Sequence, residues 1–214
     1  MPDFFFLCLE ILGTIAFAVS GAIKGVRKKM DVFGVCVLGL ITAVGGGIIR
    51  DLILGNTPPI TFINSRYALI AVITSIIIFL PFVRKFLVHH KRGYDLCLLI
   101  TDTLGLATFS VIGVQVAYAG FSSNTFLLIF VGVITGVGGG VLRDMMSKNI
   151  PDIFVKHFYA SASIVGVAFT CVLWNLVGET LAMVIGFIVI VALRFLAAKY
   201  HWNLPSIHDD NTDL

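Results

Sequence analysis

Charge is scarce in this chain. Only 13% of its 214 residues are Asp, Glu, Lys or Arg, about half the share of an average soluble domain. No polar stretch between the apolar runs is long enough for a soluble domain, and with 58% apolar residues and a mean hydropathy of +1.00 the chain reads as an integral membrane protein. A basic segment ahead of the first apolar run is missing too. Met1-Pro2-Asp3 leads straight into Phe4, and the positive residues Lys24, Arg27, Lys28 and Lys29 come afterwards, the wrong polarity for a cleaved signal peptide. Cysteine is limited to Cys8, Cys36, Cys97 and Cys171 in or at the start of apolar runs, without metal-ligand spacing, so they read as small buried residues rather than a metal site. No nucleophile–base set stands out: His89 and His90 sit in a basic loop and His157 at the start of a span. An enzyme is not expected. The net charge of +3 is explained by loop topology rather than by nucleic-acid binding.

What is present is a series of seven apolar spans, each long enough to cross about 30 Å of hydrocarbon. They are expected at Phe4–Ile23, Asp31–Leu54, Arg66–Val83, Asp95–Ala119, Thr125–Met146, His157–Val177 and Thr180–Ala198, with a turn at Gly55-Asn56-Thr57-Pro58-Pro59 and a polar tail from His208. The fold class is therefore an all-α membrane protein. Thirteen of the Lys and Arg residues fall on one side of the resulting topology, against Arg50 and Arg66 on the other. The positive-inside rule then puts the N-terminus outside and the C-terminus in the cytoplasm of a cell inner or plasma membrane.

The spans repeat. A shift of 93 lays Gly39–Pro58 on Gly132–Pro151 with 11 of 20 positions identical, and a shift of 92 lays Glu10, Gly13, Phe17 and Gly21 on Asp102, Gly105, Phe109 and Gly113, and Tyr67 on Tyr159. Each copy holds three spans, so the second inserts inverted: residues 1–92 form one repeat, 93–178 the other, 179–200 a seventh helix and 201–214 the tail. Inverted repeats with interrupted helices place a substrate or ion path where the repeats meet.

Within the repeat stand Thr42-Ala43-Val44-Gly45-Gly46-Gly47-Ile48-Ile49-Arg50-Asp51 and Thr135-Gly136-Val137-Gly138-Gly139-Gly140-Val141-Leu142-Arg143-Asp144. Each Gly costs about 1 kcal/mol relative to Ala in a helix. Two readings stay open: unwound backbone lining a path for permeant cations, or close helix packing through small residues, which the Gly132-x-x-x-Gly136-x-x-x-Gly140 spacing also suits. A phosphate-cradling loop is excluded, since the Gly-Lys-Ser/Thr ending is absent. The charges that follow are expensive at membrane depth and point to function. Adjacent Arg50 and Asp51 are poor partners on one helix. Matching depths favour Glu10–Arg50 near the outer mouth and Asp102–Arg143 near the inner one. Asp51 and Asp144 are then free to face the path or cap backbone, Thr42 and Thr135 to bond helix carbonyls or coordinate an ion, and Ser20, Ser110 and Gln115 are further polar candidates.

The doubled Gly-Gly-Gly-x-x-Arg-Asp device in a three-plus-three-plus-one chain resembles the trimeric intracellular cation channel family, in its prokaryotic branch, over nearly the whole length from Phe4 to about Ala198. The resemblance implies a homotrimer in the lipid bilayer, each protomer with its own potassium- and sodium-permeable pore built from spans one, two, four and five, with two and five kinked at the glycines, and with no cofactor beyond the permeant ions. Animal members carry a Lys-Glu-Val motif linked to phosphoinositide binding; here Ile49-Arg50-Asp51 stands instead. Bacterial relatives are also grouped under a glycine-transporter label. The expected function is a monovalent cation channel, with a secondary transporter for a small zwitterion such as glycine as the alternative.

Overall fold

A computed structural model describes residues 4–84, 91–155, 158–200 and 202. Every long apolar run in it is helical, because a bilayer core offers no water to unpaired backbone groups and a helix satisfies them internally. The helices are α1 (Phe4–Arg27), α2 (Val32–Ile53), the single turn α3 (Ile60–Ile63), α4 (Arg66–Phe79), α5 (Lys91–Phe121), α6 (Thr125–Met146), the single turn α7 (Asp152–Val155), α8 (Ala160–Val177) and α9 (Glu179–Tyr200). Six of them are long and apolar enough to cross a membrane, and α4, with 14 residues, is shorter.

Helix ends follow local chemistry. The Asp31 carboxylate accepts the Gly34 N–H at 2.7 Å and caps α2, and the Asn124 side chain accepts the Leu127 N–H at 3.0 Å and caps α6; each satisfies a donor that the first helical turn leaves without a partner. The expected third span, Arg66–Val83, stops early at Phe79. Pro81 pushes the residue before it out of the helical region, and Leu80 lies at φ −53°, ψ 141°. In the other direction, α1 continues past Ile23 to Arg27 and α5 begins four residues before Asp95. The sixth span starts at Ala160, and His157, where it was expected to begin, lies outside the described residues, as do His89, His90 and the tail from His208. Neither α3 nor α7 was anticipated; each follows the proline turn after a long helix.

Helices α1, α2 and α4 pack together, as do α5, α6 and α8; α1 lies along α5, α2 crosses α6, and α9 packs on α8 and α5. We call the face where α1 begins the first face. Helices α2 and α5 end there, and α6 returns to the second face. Exposed Leu69, Ile73, Ile77, Val172, Leu176, Leu181 and Ile188 line the outer sides of α4, α8 and α9, as lipid-facing residues should.

The glycine runs correct one expectation. The backbone does not unwind: α2 is helical through Gly45–Gly47 and α6 through Gly138–Gly140. The glycines instead form the crossing of the two helices. A Cβ on Gly46 would collide with the Thr135 carbonyl, one on Gly139 with the Thr42 carbonyl, and one on Gly138 would stand 3.3 Å from Gly46 Cα. Such close approach is what small residues permit in membranes, where packing and not water drives association. Thr42 and Thr135 donate back to the carbonyls of Leu38 at 2.5 Å and Val131 at 2.6 Å, so both hydroxyls are occupied within their own helices.

Candidate functional site

Two clusters of polar side chains occupy the ends of the α1–α2–α5–α6 seam, related by the inverted repeat. In each, the Arg beside the glycines turns back on its neighbour. Arg50 Nε donates to Asp51 at 2.8 Å and Arg143 Nε to Asp144 at 2.8 Å. This reverses the expectation that adjacent residues make poor partners. The guanidinium is long enough to fold back, and each Asp is held in place by its other oxygen, which accepts the N–H of Ile60 or of Asp152 at 2.9 Å. Asp51 and Asp144 thus tie the end of a long helix to the short helix after its proline turn. All four side chains are buried.

The second face is closed by ion pairs. Arg143 Nη1 donates to Asp102 and to Ser20 Oγ, both at 2.5 Å, while its Nη2 stands 3.9 Å from the Asp152 carboxylate. Lys24 Nζ reaches Asp144 at 2.5 Å. From α9, Arg194 comes within 3.5 Å of Asp102 and lies over the Tyr159 ring at 4.7 Å, and the Tyr159 hydroxyl donates to Asp102 at 3.3 Å. Lys24, Arg143 and Arg194 therefore face Asp102, Asp144 and Asp152, with five of these six side chains at most 10% exposed and Asp152 16%. Charges this deep in low dielectric must be paired, or each would carry a penalty of several kcal/mol.

The first face is arranged differently. Glu10 and Arg50 line one recess, of about 390 Å³ of empty space counted to its open mouth, but no ion pair joins them among the described residues, contrary to the expected Glu10–Arg50 pair. Glu10 accepts a hydrogen bond from the Tyr67 hydroxyl, and among the described residues the Arg50 guanidinium is held by Asp51 alone. Between the faces the Phe17 and Phe109 rings, repeat-related residues, stack with centroids 5.4 Å apart. Phe17 is 1% exposed and fills the space above Gly105.

Of the sequence candidates, Asp102, Arg143, Asp144 and Ser20 meet at one cluster, and Glu10 and Arg50 share another. Gly45, Gly46, Gly138 and Gly139 lie in the crossing, with Gly47 beside Arg50 and Gly140 beside Tyr159. Ser110 binds Ser163 at 2.7 Å in the second bundle, and Gln115 lines a separate recess beside Leu54 and Asn56. Sequence reasoning missed Lys24, Arg194, Tyr67, Tyr159 and Asp152. Lys24 carried a signal: it falls seven residues after Phe17 and four after Ser20, on the same helical stripe.

Comparison with known proteins accords with this duplicated layout. A family model described as Glycine transporter matches the chain twice, over residues 7–82 and 99–175. The chain belongs to that family. Its relatives include a UPF0126 membrane protein of Vibrio cholerae, 37% identical over 92% of this chain and 81% of that protein, and the UPF0126 inner membrane protein YadS of Escherichia coli, 36% identical over 92% of this chain and 94% of that one. The fold is that of solved TRIC channels. One described under structural basis for conductance through TRIC cation channels superposes with a TM-score of 0.85 at 39% identity, covering 97% of this chain and 99% of its own. A prokaryotic TRIC channel crystallised in 0.5 M KCl gives 0.86 at 34% identity, over 94% and 98%. Like these relatives, the family member described here is a multi-pass membrane protein of the bacterial inner-membrane type and not an enzyme.

Proposed function

We propose that this protein is a monovalent cation channel, conducting potassium and sodium through each protomer along the α1–α2–α5–α6 seam, and that it assembles as a homotrimer with its N-terminus outside. The observation that carries the reading is the pair of repeat-related polar clusters at opposite ends of one seam, with only apolar and small residues between them. Packing alone would not require intramembrane charge at both ends. The first mouth holds Glu10 and Asp51 with Arg50, and Arg66 stands beside Tyr67 at the same face, so the local charges are close to balance. The second mouth is neutral overall and sealed, so conduction requires the Arg143 cluster to loosen and the Phe17–Phe109 stack to part. The pathway residues are then Thr42, Gly45, Gly46, Gly47, Arg50 and Asp51 on α2, with Thr135, Gly138, Gly139, Gly140, Arg143 and Asp144 on α6, and Glu10 and Asp102 as charge partners. Bending of α2 and α6 at their glycines, each a position of low helix propensity, supplies the motion.

Purified protein in planar bilayers tests the reading. Ohmic, potassium-selective unitary currents altered in Arg143→Ala support it. Saturable glycine uptake by proteoliposomes without unitary current refutes it and favours the transporter that the family's description names.

A further inference from the structure

We propose that the single-turn helices α3 and α7 are paired anchors in the acyl–headgroup boundary of the bilayer, one at each face, and that they couple bilayer thickness to the buried clusters of Arg50 and Arg143. The partner is the lipid boundary itself, and the inference stands apart from conduction. Exposure is the first observation. Phe62 and Ile63 of α3 are each 69% exposed, and Phe154 and Val155 of α7 are 73% and 52% exposed. Water is the wrong neighbour for such side chains. Leu52 and Ile53 at the end of α2, and Met145 and Met146 at the end of α6, are exposed as well. The two sets correspond through the repeat, at the shifts of 92 and 93, so the same apolar display occurs at both faces.

Depth is the second observation. Helices α2 and α6 have 22 residues each and rise about 33 Å, so they end just beyond about 30 Å of hydrocarbon. Asp51 and Asp144 stand two residues before those ends. Their carboxylates accept the N–H of Ile60 and of Asp152 at 2.9 Å, and their carbonyls accept the N–H of Asn56 at 2.8 Å and of Asn149 at 2.9 Å. Each turn is thus pinned where hydrocarbon meets headgroups. Exposed Arg66 and Lys148 flank the turns, as cations do on segments that lie in this boundary.

Coupling follows from the same bonds. Asp51 and Asp144 each hold an anchor with one oxygen and an Arg Nε with the other. Directly after α3, α4 has only 14 residues, about 21 Å, and a span this short is sensitive to bilayer thickness. A thicker bilayer carries the boundary and its anchors outward. Helices α2 and α6 cannot follow, because their crossing at Gly46 and Gly139 is closed by backbone contact. The strain therefore falls on the Ile60–Asp51 and Asp152–Asp144 bonds.

Two measurements on the full-length protein in nanodiscs test this. In a Trp174→Phe, Trp202→Phe background, the fluorescence of Phe62→Trp and of Phe154→Trp is quenched more strongly by phosphatidylcholine brominated near the headgroup than by lipid brominated near the chain end. Ile188→Trp, exposed midway along α9, shows the reverse order. Hydrogen exchange is then compared in dimyristoyl- and dierucoylphosphatidylcholine. The Ile60 and Asp152 amides exchange at least about tenfold faster in the longer-chain lipid, as expected when a hydrogen bond to a charged acceptor opens, while residues 131–136 exchange alike in both. Phe62→Ser combined with Phe154→Ser abolishes the difference, with thermal unfolding as the check that the double variant is folded. Quenching absent at either position, as when water or a second copy of the chain covers the turns, overturns the inference. So does equal exchange in the two lipids, or a thickness response that survives in the folded double variant.

Discussion

Asp102 is the residue whose loss should cost most. Its carboxylate holds Arg143 Nη1 at 2.5 Å, accepts the Tyr159 hydroxyl at 3.3 Å and lies 3.5 Å from Arg194. Arg143 is 0% exposed and Arg194 5%. The Asp102→Asn change keeps shape and removes charge, so two buried guanidiniums face an uncharged amide. Breaking a buried pair by removing one partner costs about 3–5 kcal/mol. For a chain of this size each kcal/mol moves the thermal midpoint by about 2–4 °C, so the midpoint should fall by roughly 10 °C. Glu10→Gln is the matched control: Glu10 is half-buried and, among the described residues, its carboxylate has one hydrogen-bond partner, worth about 1 kcal/mol. Thermal unfolding followed by intrinsic tryptophan fluorescence in a single detergent compares the two. Adding Arg194→Met to Asp102→Asn should recover part of the loss, because one orphaned charge is gone. Equal losses for Asp102→Asn and Glu10→Gln, or no recovery in the double variant, would refute the assignment of Asp102 as the shared counter-ion.

Three other outcomes follow from the packing. Gly46→Ala and Gly139→Ala should each destabilise by about 1–3 kcal/mol, since the new methyl meets backbone, whereas Gly120→Ala, with nothing within 4 Å, should be neutral or slightly stabilising in the same unfolding assay. Phe17→Ala should lower stability by about 3–5 kcal/mol and raise unitary conductance in bilayers, because the stacked pair narrows the seam. Lys24→Met should lengthen open times while costing less stability than Asp102→Asn, since Asp144 keeps Arg143 Nε and the Asp152 N–H; open times equal to the parent's would exclude Lys24 from the closed state.

Much of the fold was legible because the chain states its plan twice. A duplicated Gly-Gly-Gly-x-x-Arg-Asp, an odd number of spans per copy and a strong bias of basic residues to alternate loops leave little choice of architecture. The site was only half legible. Charge cost at membrane depth singled out Arg50, Arg143, Glu10 and Asp102, but depth alone says nothing of azimuth, so Asp102–Arg143 is a contact and Glu10–Arg50 is not. The glycines misled, because propensity argues against a helix there while a close crossing requires one: the Thr42 and Thr135 carbonyls come nearer than any Cβ would allow. Lys24 and Arg194 were hidden in the count of basic residues that gave the topology. Each sits at a span end, where a loop charge and a buried counter-ion look alike until the helix is known to continue, as α1 does to Arg27.

The residues that break the symmetry are therefore the ones to which direction must be assigned. An inverted repeat alone gives both faces the same chemistry and treats ions alike from either side. Lys24 and Ser20 correspond to Val116 and Ile112 in the second copy, and Arg194 belongs to α9, which has no counterpart. Each of the three reaches Asp102, Asp144 or Arg143, and none has an equivalent at the first face, where the Arg50 Nη groups and one Glu10 oxygen have no hydrogen-bond partner among the described residues. The additions thus convert a symmetric seam into one with a sealed end and a more open end. Opening of the proposed path at the second face would require the ion pairs of Lys24, Arg143 and Arg194 to be exchanged for water, whereas at the first face the Arg50–Asp51 pair is the buried ion pair among the described residues.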